Sequence, residues 1–274
     1  MRPVLSPAVR RLWRDPETLQ LGRAPGSALV LAGLDPTARA VLALLDGTRD
    51  LAGVRTAAVA AGCPAARADE LLALLRDAGL VVDAGDRWPD RLGVAERDRL
   101  VADVASLSLL HGGGGLAALH RRDAASVVVV GAGRVGAPLA ALLATAGVGT
   151  VDAVDDGTAR PRDVAVGGLE PGDVGRRRGE AARSRLRTCA PDALPGPVPR
   201  PDLVVLAPVG HADELDAAAL RRDGVPHLLA EVRDTVGVVG PLVLPGRSAC
   251  LRCLDLVRTD RDPGWPGLPL GHSA

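Results

Sequence analysis

Hydrophobic positions recur along the chain with the spacing of strands in some segments and of helices in others, and the order of these segments predicts the architecture. The first part predicts two strands, three helices and a third strand, at residues 18–22, 28–31, 36–47, 51–61, 65–78 and 80–82. Asp35 before Pro36 predicts the start of the first helix, because an N-cap acceptor followed by proline suits a helix N-terminus. Residues 1–86 are therefore predicted to form a small domain like a winged helix.

The second half of the chain opens with a run of β-branched residues. Residues 126–130 (SVVVV) predict a strand buried on both faces, which leads into the turn Gly131-Ala132-Gly133-Arg134-Val135-Gly136. A helix to residue 146 and a second strand over residues 150–154 follow. Residues 125–274 thus predict an α/β, Rossmann-like fold.

In such a fold the glycines let the backbone approach a phosphate, and an acid after the second strand binds a ribose. The predicted cofactor-binding residues are therefore Gly131, Gly133, Gly136 and Asp155.

A helical pattern at residues 87–124 connects the two parts and is broken by Gly112-Gly113-Gly114-Gly115. We expect these glycines to form a flexible joint between domains. His111 and His120 flank them and are more typical of solvated side chains than of metal ligands.

Composition narrows the classes of function. The 33 basic residues, all arginine, balance 33 acidic residues, so net charge gives no reason to expect a nucleic acid or an anionic membrane as partner. The start has no signal-peptide pattern, and no run of about 20 uncharged apolar residues predicts a membrane span. We therefore expect a cytoplasmic protein whose cysteines are thiols or metal ligands.

The N-terminal part has a set of weakly specific motifs: Pro3-Val4-Leu5-Ser6-Pro7, Trp13 and Asp15, a strand pair, and residues 40–49 followed by Leu51. These resemble the PqqD-like recognition element, a winged-helix domain of enzymes that modify ribosomally made peptides. The resemblance implies that a precursor leader peptide adds a strand at this domain and packs on its third helix. The peptide-binding residues would be Leu29, Leu31, Leu71 and Leu74. The alternative is a DNA-binding winged helix or a spacer, in which these leucines are simply core.

The C-terminal part has Ala146-Gly147-Val148-Gly149-Thr150 before the acidic strand end, and Cys250-Leu251-Arg252-Cys253 after two further strand candidates. This order resembles the ThiF/MoeB family, which has the fold of ubiquitin-activating (E1-like) enzymes. Residues 245–266 are similar to ThiF-like proteins that bind leader peptides for thiazole/oxazole-forming (TOMM) cyclodehydratases. The resemblance implies an ATP site at the glycine turn and a zinc site of which Cys250 and Cys253 form half.

The sequence departs from active members of that family at four places. Gly157 replaces a second acid, residues 163–167 lack the expected arginine, Arg178 replaces a lysine, and residues 207–210 lack the magnesium-binding aspartate. Adenylation needs cations at the phosphates and a carboxylate for magnesium, so these losses predict that it is absent. The glycine turn either still binds a nucleotide weakly or remains for packing alone.

The predicted zinc site is incomplete, because structural zinc takes four ligands and the CxxC motif supplies two. Cys63 and Cys189 are isolated, the first at a helix cap and the second in a strand-edge loop, and His272 has no ligand spacing. Zinc is then absent, shared across a homodimer, or lost with a C-terminal truncation; we prefer a truncation or an orphaned half-site.

These patterns together predict a leader-peptide-binding adaptor that presents a precursor peptide to a separate enzyme, such as a YcaO-type, azoline-forming one. An active ATP-dependent ThiF-type adenylyltransferase is the first alternative. An NAD-dependent oxidoreductase is the second, with His211 and His227 as its candidates for proton transfer.

Overall fold

The computed structural model describes residues 1–7, 9–23, 28–112, 114–193, 196, 198–209 and 214–264, without the side chains of 214–216. It divides into two compact units, Met1–Arg121 and Arg122–Ala274. The predicted turn at residues 24–27, together with His211 and His272, lies outside the described residues.

Small antiparallel sheets and helices make up the first unit. β1 (Pro3–Leu5) pairs with β5 (Val81–Asp83), and a second sheet has the order β2 (Arg11–Asp15), β3 (Thr18–Leu21), β4 (Leu29–Leu31). The helices are α1 (Pro36–Ala43), α2 (Leu51–Ala60), α3 (Ala65–Asp77), α4 (Val94–Leu110) and α5 (Gly115–Ala124), the last of which ends just past the unit boundary. A leucine-rich core joins the strands to α1, α2 and α3.

Helix α1 begins where the sequence predicts and ends earlier. The carboxylate of Asp35 accepts a hydrogen bond of 2.8 Å from the backbone N–H of Ala38, as an N-cap should. The helix stops at Ala43 rather than Gly47 because the chain turns to pair with β1. Leu5 N–H donates to the carbonyl of Leu45 at 3.0 Å, and Gly47 N–H donates to that of Pro3 at 3.1 Å.

The glycine run precedes the division between the two units, which falls between Arg121 and Arg122. Its last residue, Gly115, is the first residue of α5 and is buried. A Cβ atom at Gly115 would collide with Ser108 Oγ and the Val104 carbonyl. At least this glycine is therefore required for close helix packing.

A five-stranded sheet with the order β10-β9-β8-β6-β7 forms the centre of the second unit. The strands β6 (Ser126–Val130), β7 (Thr150–Val154), β8 (Leu203–Leu206) and β9 (His227–Arg233) are parallel, and β10 (Val236–Val243) is antiparallel to β9. The helices are α6 (Gly136–Thr145), α7 (Arg178–Cys189), α8 (Glu214–Arg222) and α9 (Leu251–Arg261). One core packs α6 and α7 against the sheet, and another packs α8 and the start of α9 against it.

This arrangement confirms the predicted α/β class with a parallel, Rossmann-like sheet. Cys189 is the last residue of α7 and does not lie in a strand-edge loop. In the sheet, β7 lies on one side of β6 and the later strand β8 lies on its other side. The direction in which strands are added therefore reverses at β6. In open α/β sheets, ligands bind in the crevice at such a reversal.

Among the described residues, no single helix has both the length and the hydropathy of a membrane-spanning segment; the pair α4 and α5, bent by 113°, meets those two criteria when taken together.

Candidate functional site

The glycine turn lies at the carboxyl end of β6, where the strand order reverses. Gly131 has a φ of 96°, and its N–H donates to the carbonyl of Val154 at 2.8 Å. Helix α6 begins at Gly136, so its N-terminus faces the region where Rossmann-like folds bind a phosphate.

Two of these glycines are required by the packing of the turn itself. A Cβ atom at Gly131 would collide with the carbonyl of Ala207, and one at Gly136 would collide with the carbonyl of Gly131. A Cβ atom at Gly133 would lie 2.6 Å from Cγ2 of Val209, which follows β8 and is 43% exposed. The side chain of Val209 therefore covers the middle glycine of the turn.

The carboxylate of Asp155 already has a full set of hydrogen-bond donors from the protein. Oδ2 accepts from Ala132 N–H at 2.8 Å and from Arg178 Nε at 2.9 Å. Oδ1 accepts from Gly157 N–H at 2.8 Å and from Arg178 Nη2 at 3.0 Å. A carboxylate offers about four acceptor positions, so these bonds use them all.

Burial and hydrogen bonding act on Asp155 in opposite directions. The side chain is 7% exposed, and burial by itself would raise the pKa of its carboxyl group. The hydrogen bonds from Arg178, Ala132 and Gly157 outweigh burial and lower that pKa below its ordinary value of 3.8. Asp155 is therefore a fixed anion that is paired inside the protein.

Arg178 also binds a second acidic residue. Its Nη1 donates to the Thr158 carbonyl at 3.0 Å and lies 3.4 Å from Oδ2 of Asp163, whose side chain is 5% exposed. One cation thus faces two anions, Asp155 and Asp163, and this group has no surplus positive charge to offer to a phosphate.

Gly157 and Arg178 depend on each other. A Cβ atom at Gly157 would collide with Nη2 and Cζ of Arg178, so any larger residue there would displace the guanidinium group. The sequence suggests two separate losses at these positions. In the structure they belong to one arrangement, because the missing side chain makes room for the arginine.

The neighbouring arginines differ in their contacts with acidic residues. Arg176 lies 2.6 Å from Asp173, and Arg177 lies 3.9 Å from the fully exposed Asp156. A second buried ion pair attaches α7 to the sheet: Arg183 Nε donates to Asp152 at 2.6 Å, and the side chain of Asp152 is 2% exposed. It fixes the helix on which Arg178 is the first residue.

The predicted peptide-binding leucines differ in exposure. Leu31 and Leu71 belong to the core, at 5% and 8% exposed, and Leu29 packs partly against it. Leu74 is 45% exposed. Of the four, Leu74 is therefore the side chain most accessible to a peptide.

Strand β4 lies at an edge of its sheet, since the order is β2-β3-β4. The N–H of Gly22 donates to the carbonyl of Arg10, just before β2, at 2.9 Å. Backbone groups alternate in direction along a strand, so those of Leu21 and Leu19 point to the other side, towards β4. Their partners in the register are Leu29 and Leu31. The N–H and C=O of Val30 therefore point outward, and its side chain is 41% exposed.

The CxxC motif lies at the start of α9. Cys250 is the N-cap residue and is 8% exposed, whereas Cys253 is exposed; their Sγ atoms are 3.3 Å apart. Burial would raise the pKa of the Cys250 thiol, but hydrogen bonds with the Cys253 side chain and with backbone N–H groups lower it. Both thiols line a depression of about 400 Å³ together with Arg221 and Arg247.

Within the described part of the chain, no group of three or more His, Cys, Asp or Glu side chains is placed to hold a metal ion. The zinc half-site at Cys250 and Cys253 stays a prediction.

His227 does not resemble a catalytic base. It is 1% exposed, and its Nδ1 lies 3.0 Å from the carbonyl of Val225, which only accepts, so Nδ1 carries the proton. A buried ring without access to a substrate gives no support for hydride-transfer chemistry at this residue.

Comparisons with known proteins agree with this fold. Residues 105–197 match the ThiF family. A solved structure of E. coli MccB with ATP has a TM-score of 0.73 and 17% sequence identity, over 100% of this chain and 83% of that one. The microcin C7 biosynthetic enzyme MccB in complex with N-formylated MccA has a TM-score of 0.71 and 18% identity, over 93% and 75% of the two chains.

A third solved structure, that of selenomethionine PaaA, has a TM-score of 0.69 and 18% identity, over 89% of this chain and 79% of that one. The comparison with curated proteins gave no match. At these identities the likenesses show the fold alone, which is similar to that of MccB along most of this chain.

Proposed function

We propose that this chain is a non-catalytic, ThiF-like partner protein that binds a precursor peptide through its N-terminal unit. It presents that peptide to a separate modifying enzyme, for which a YcaO-type cyclodehydratase is the candidate that the sequence resemblance favours. Its ATP binding is weak or absent, and it does not adenylate the peptide.

The observation that carries this proposal is the internal pairing of Asp155 with Arg178. A ribose hydroxyl that bonded to Asp155 would have to displace at least one of the two guanidinium bonds, of 2.9 and 3.0 Å. Bonds to charged groups contribute about 1.5–3 kcal/mol each, so displacing one would cost about that amount. Since 1.4 kcal/mol is tenfold in affinity, that corresponds to a loss of about 10–10² in affinity.

The surroundings of the phosphate position support the same conclusion. Val209 covers Gly133, and Arg178 beside the turn is shared by Asp155 and Asp163. Transfer of an adenylyl group builds negative charge on the departing pyrophosphate, which needs cations or a metal ion nearby. Arg176 is paired with Asp173 at 2.6 Å, and Arg177 is 61% exposed to solvent.

Peptide binding is supported by the open edge of β4 and by the fold likeness to MccB in complex with N-formylated MccA. The outward N–H and C=O of Val30 suit an added strand, and such main-chain bonds provide affinity in β-augmentation. The exposed side chains of Val30 and Leu74 supply apolar contacts.

The proposal is tested by the binding of labelled leader peptides from open reading frames beside this gene, measured by fluorescence anisotropy. Val30→Pro removes the outward N–H at an edge position where proline is tolerated, so the β3–β4 ladder should survive while peptide affinity falls by about tenfold or more. Val30→Thr keeps the N–H and a similar shape, and it is the matched control. Equal binding by wild type and Val30→Pro, with both proteins folded by circular dichroism, would refute strand addition at β4.

An active adenylyltransferase is the second candidate, because the chain shares its fold with MccB solved with ATP. ATP–pyrophosphate exchange in the presence of the bound peptide separates the two candidates. We expect no exchange above the peptide-free background, and exchange that depends on the peptide would reverse the order of the two proposals.

A further inference from the structure

We propose that strand β2 is a docking edge that takes an extended, acidic segment of a partner protein as an added strand. The sheet order β2-β3-β4 leaves β2 at the edge opposite β4. This inference goes beyond the precursor peptide proposed for β4 and does not depend on it. It rests on the backbone of β2, the charge of its side chains and an exposed tryptophan.

The outer edge of β2 presents the backbone groups of two residues. The carbonyl of Arg10, just before the strand, accepts from Gly22 N–H and so faces β3. Backbone groups alternate in direction along a strand, so those of Arg11 face away from β3, and those of Trp13 do the same. Each of these two residues offers an N–H and a C=O to an added strand, and such main-chain bonds provide affinity in β-augmentation.

The side chains of β2 are cationic on both faces of the sheet. Arg11 pairs in register with Leu21 and shares its face. Arg14 lies on the other face, where its Nη2 donates to Gln20 Oε1 at 2.6 Å and its Nε donates to the same oxygen at 2.9 Å. Both arginines are exposed, so an added strand meets a positive charge whichever face its side chains take.

The acidic residue at the end of β2 is engaged by the turn that follows. Oδ1 of Asp15 accepts from Glu17 N–H at 2.8 Å. This bond and a further one from the Thr18 hydroxyl lower the pKa of the Asp15 carboxyl group below its ordinary value of 3.8. Asp15 is thus held in the turn, while Arg14 is bound to the neutral side chain of Gln20.

The charge of an edge strand selects which strands can join it. Arginines at an edge discourage pairing with basic or neutral strands, which is a common protection against aggregation. The same charges attract an acidic strand, because opposite charges on neighbouring strands are favourable. Trp13 does not serve such protection: its side chain is 51% exposed, and tryptophan is enriched among residues that contribute most to binding. The segment that fits therefore carries acidic side chains beside an apolar one.

Fluorescence anisotropy of the full-length protein with synthetic probes tests this proposal. The acidic probe is a labelled peptide of alternating glutamate and valine, and the neutral probe has glutamine in place of every glutamate. We expect the acidic probe to bind at least about tenfold more tightly, and this preference to decrease as salt is added. N-methylation of the amides of the acidic probe should abolish binding, because it removes the donors that pair with β2.

Three variants locate the probe on the sheet. Arg11→Glu should weaken binding of the acidic probe by about tenfold. Arg39→Glu makes the same charge change at an exposed position of α1 and should leave binding unchanged. Val30→Pro alters only the β4 edge and should also leave it unchanged, so that failure at β2 and failure of the peptide site at β4 are told apart. Circular dichroism confirms that each variant is folded.

Four results would each overturn the proposal. The first is that the acidic probe does not bind, or binds no better than the neutral one. The second is that the N-methylated probe binds as well as its parent, since charge alone would then explain the attraction. The third is an equal loss of affinity in Arg11→Glu and Arg39→Glu. The fourth is a loss in Val30→Pro, which would place the acidic segment at β4.

Discussion

Replacement of Arg178 by methionine should destabilise the second unit by about 3 kcal/mol. The arginine donates two hydrogen bonds to Asp155, and the two side chains are 14% and 7% exposed. Breaking a buried ion pair by removing one partner costs about 3–5 kcal/mol. The lower end applies here, because Asp155 keeps the N–H donors of Ala132 and Gly157. For a unit of this size, about 2–4 °C in Tm per kcal/mol predicts a shift of about 6–12 °C.

The assay is chemical denaturation at neutral pH, with Arg177→Met as the matched control. Arg177 precedes Arg178 in sequence, but it is 61% exposed and lies 3.9 Å from a fully exposed aspartate. Its loss should change the free energy of unfolding by less than about 0.5 kcal/mol. If the two variants unfold at the same denaturant concentration, the ion pair does not contribute as argued, and the main support for a closed ribose position is lost.

The pH dependence provides a second check on the same variant. The pKa of Asp155 is lower in the folded protein than its ordinary value of 3.8, so its ionised form stabilises the fold above that value. This stabilisation is lost as the pH falls through the folded pKa. The difference in stability between wild type and Arg178→Met should therefore be constant near neutral pH and shrink below about pH 4.

Three further substitutions test the packing of both units. Gly157→Ala places a methyl group on the Arg178 guanidinium and should lower stability by about 1–3 kcal/mol, whereas Gly172→Ala, with open space around it, should not. Gly115→Ala collides with Ser108 and the Val104 carbonyl, and thermal unfolding of this variant should begin at a lower temperature by an amount equivalent to about 1–3 kcal/mol. Arg183→Met leaves Asp152 buried without its partner and should cost about 3 kcal/mol in a urea titration; a neutral result would show that Asp152 is solvated or protonated.

The sequence predicts the centre of the second unit well because its signals are local. The β-branched run and the glycine turn fix β6, α6 and β7, and both strands have the bounds that the pattern predicts. The strands β1 and β2 are missed for the opposite reason. β1 has three residues, and β2 is almost wholly exposed, with arginine at both Arg11 and Arg14, so neither has an apolar alternation to recognise.

The arrangement at Asp155 is beyond prediction from one sequence, since its parts are distant along the chain. Asp155 and Arg178 are 23 positions apart, and Gly157 matters only through the space that it leaves for the guanidinium group. A comparison of motifs treats Gly157 and Arg178 as two independent differences from the family pattern. Only the folded geometry shows that an anion, a cation and a missing side chain compensate one another.

The dependence between Gly157 and Arg178 also constrains how this protein can change by mutation. An acid placed at position 157 alone would collide with the arginine, and a lysine placed at 178 alone would lose the two-point pairing that holds Asp155. Each of these single substitutions should therefore give a less stable protein than the present one. Position 157 can therefore take a larger side chain only together with a smaller or differently placed side chain at position 178.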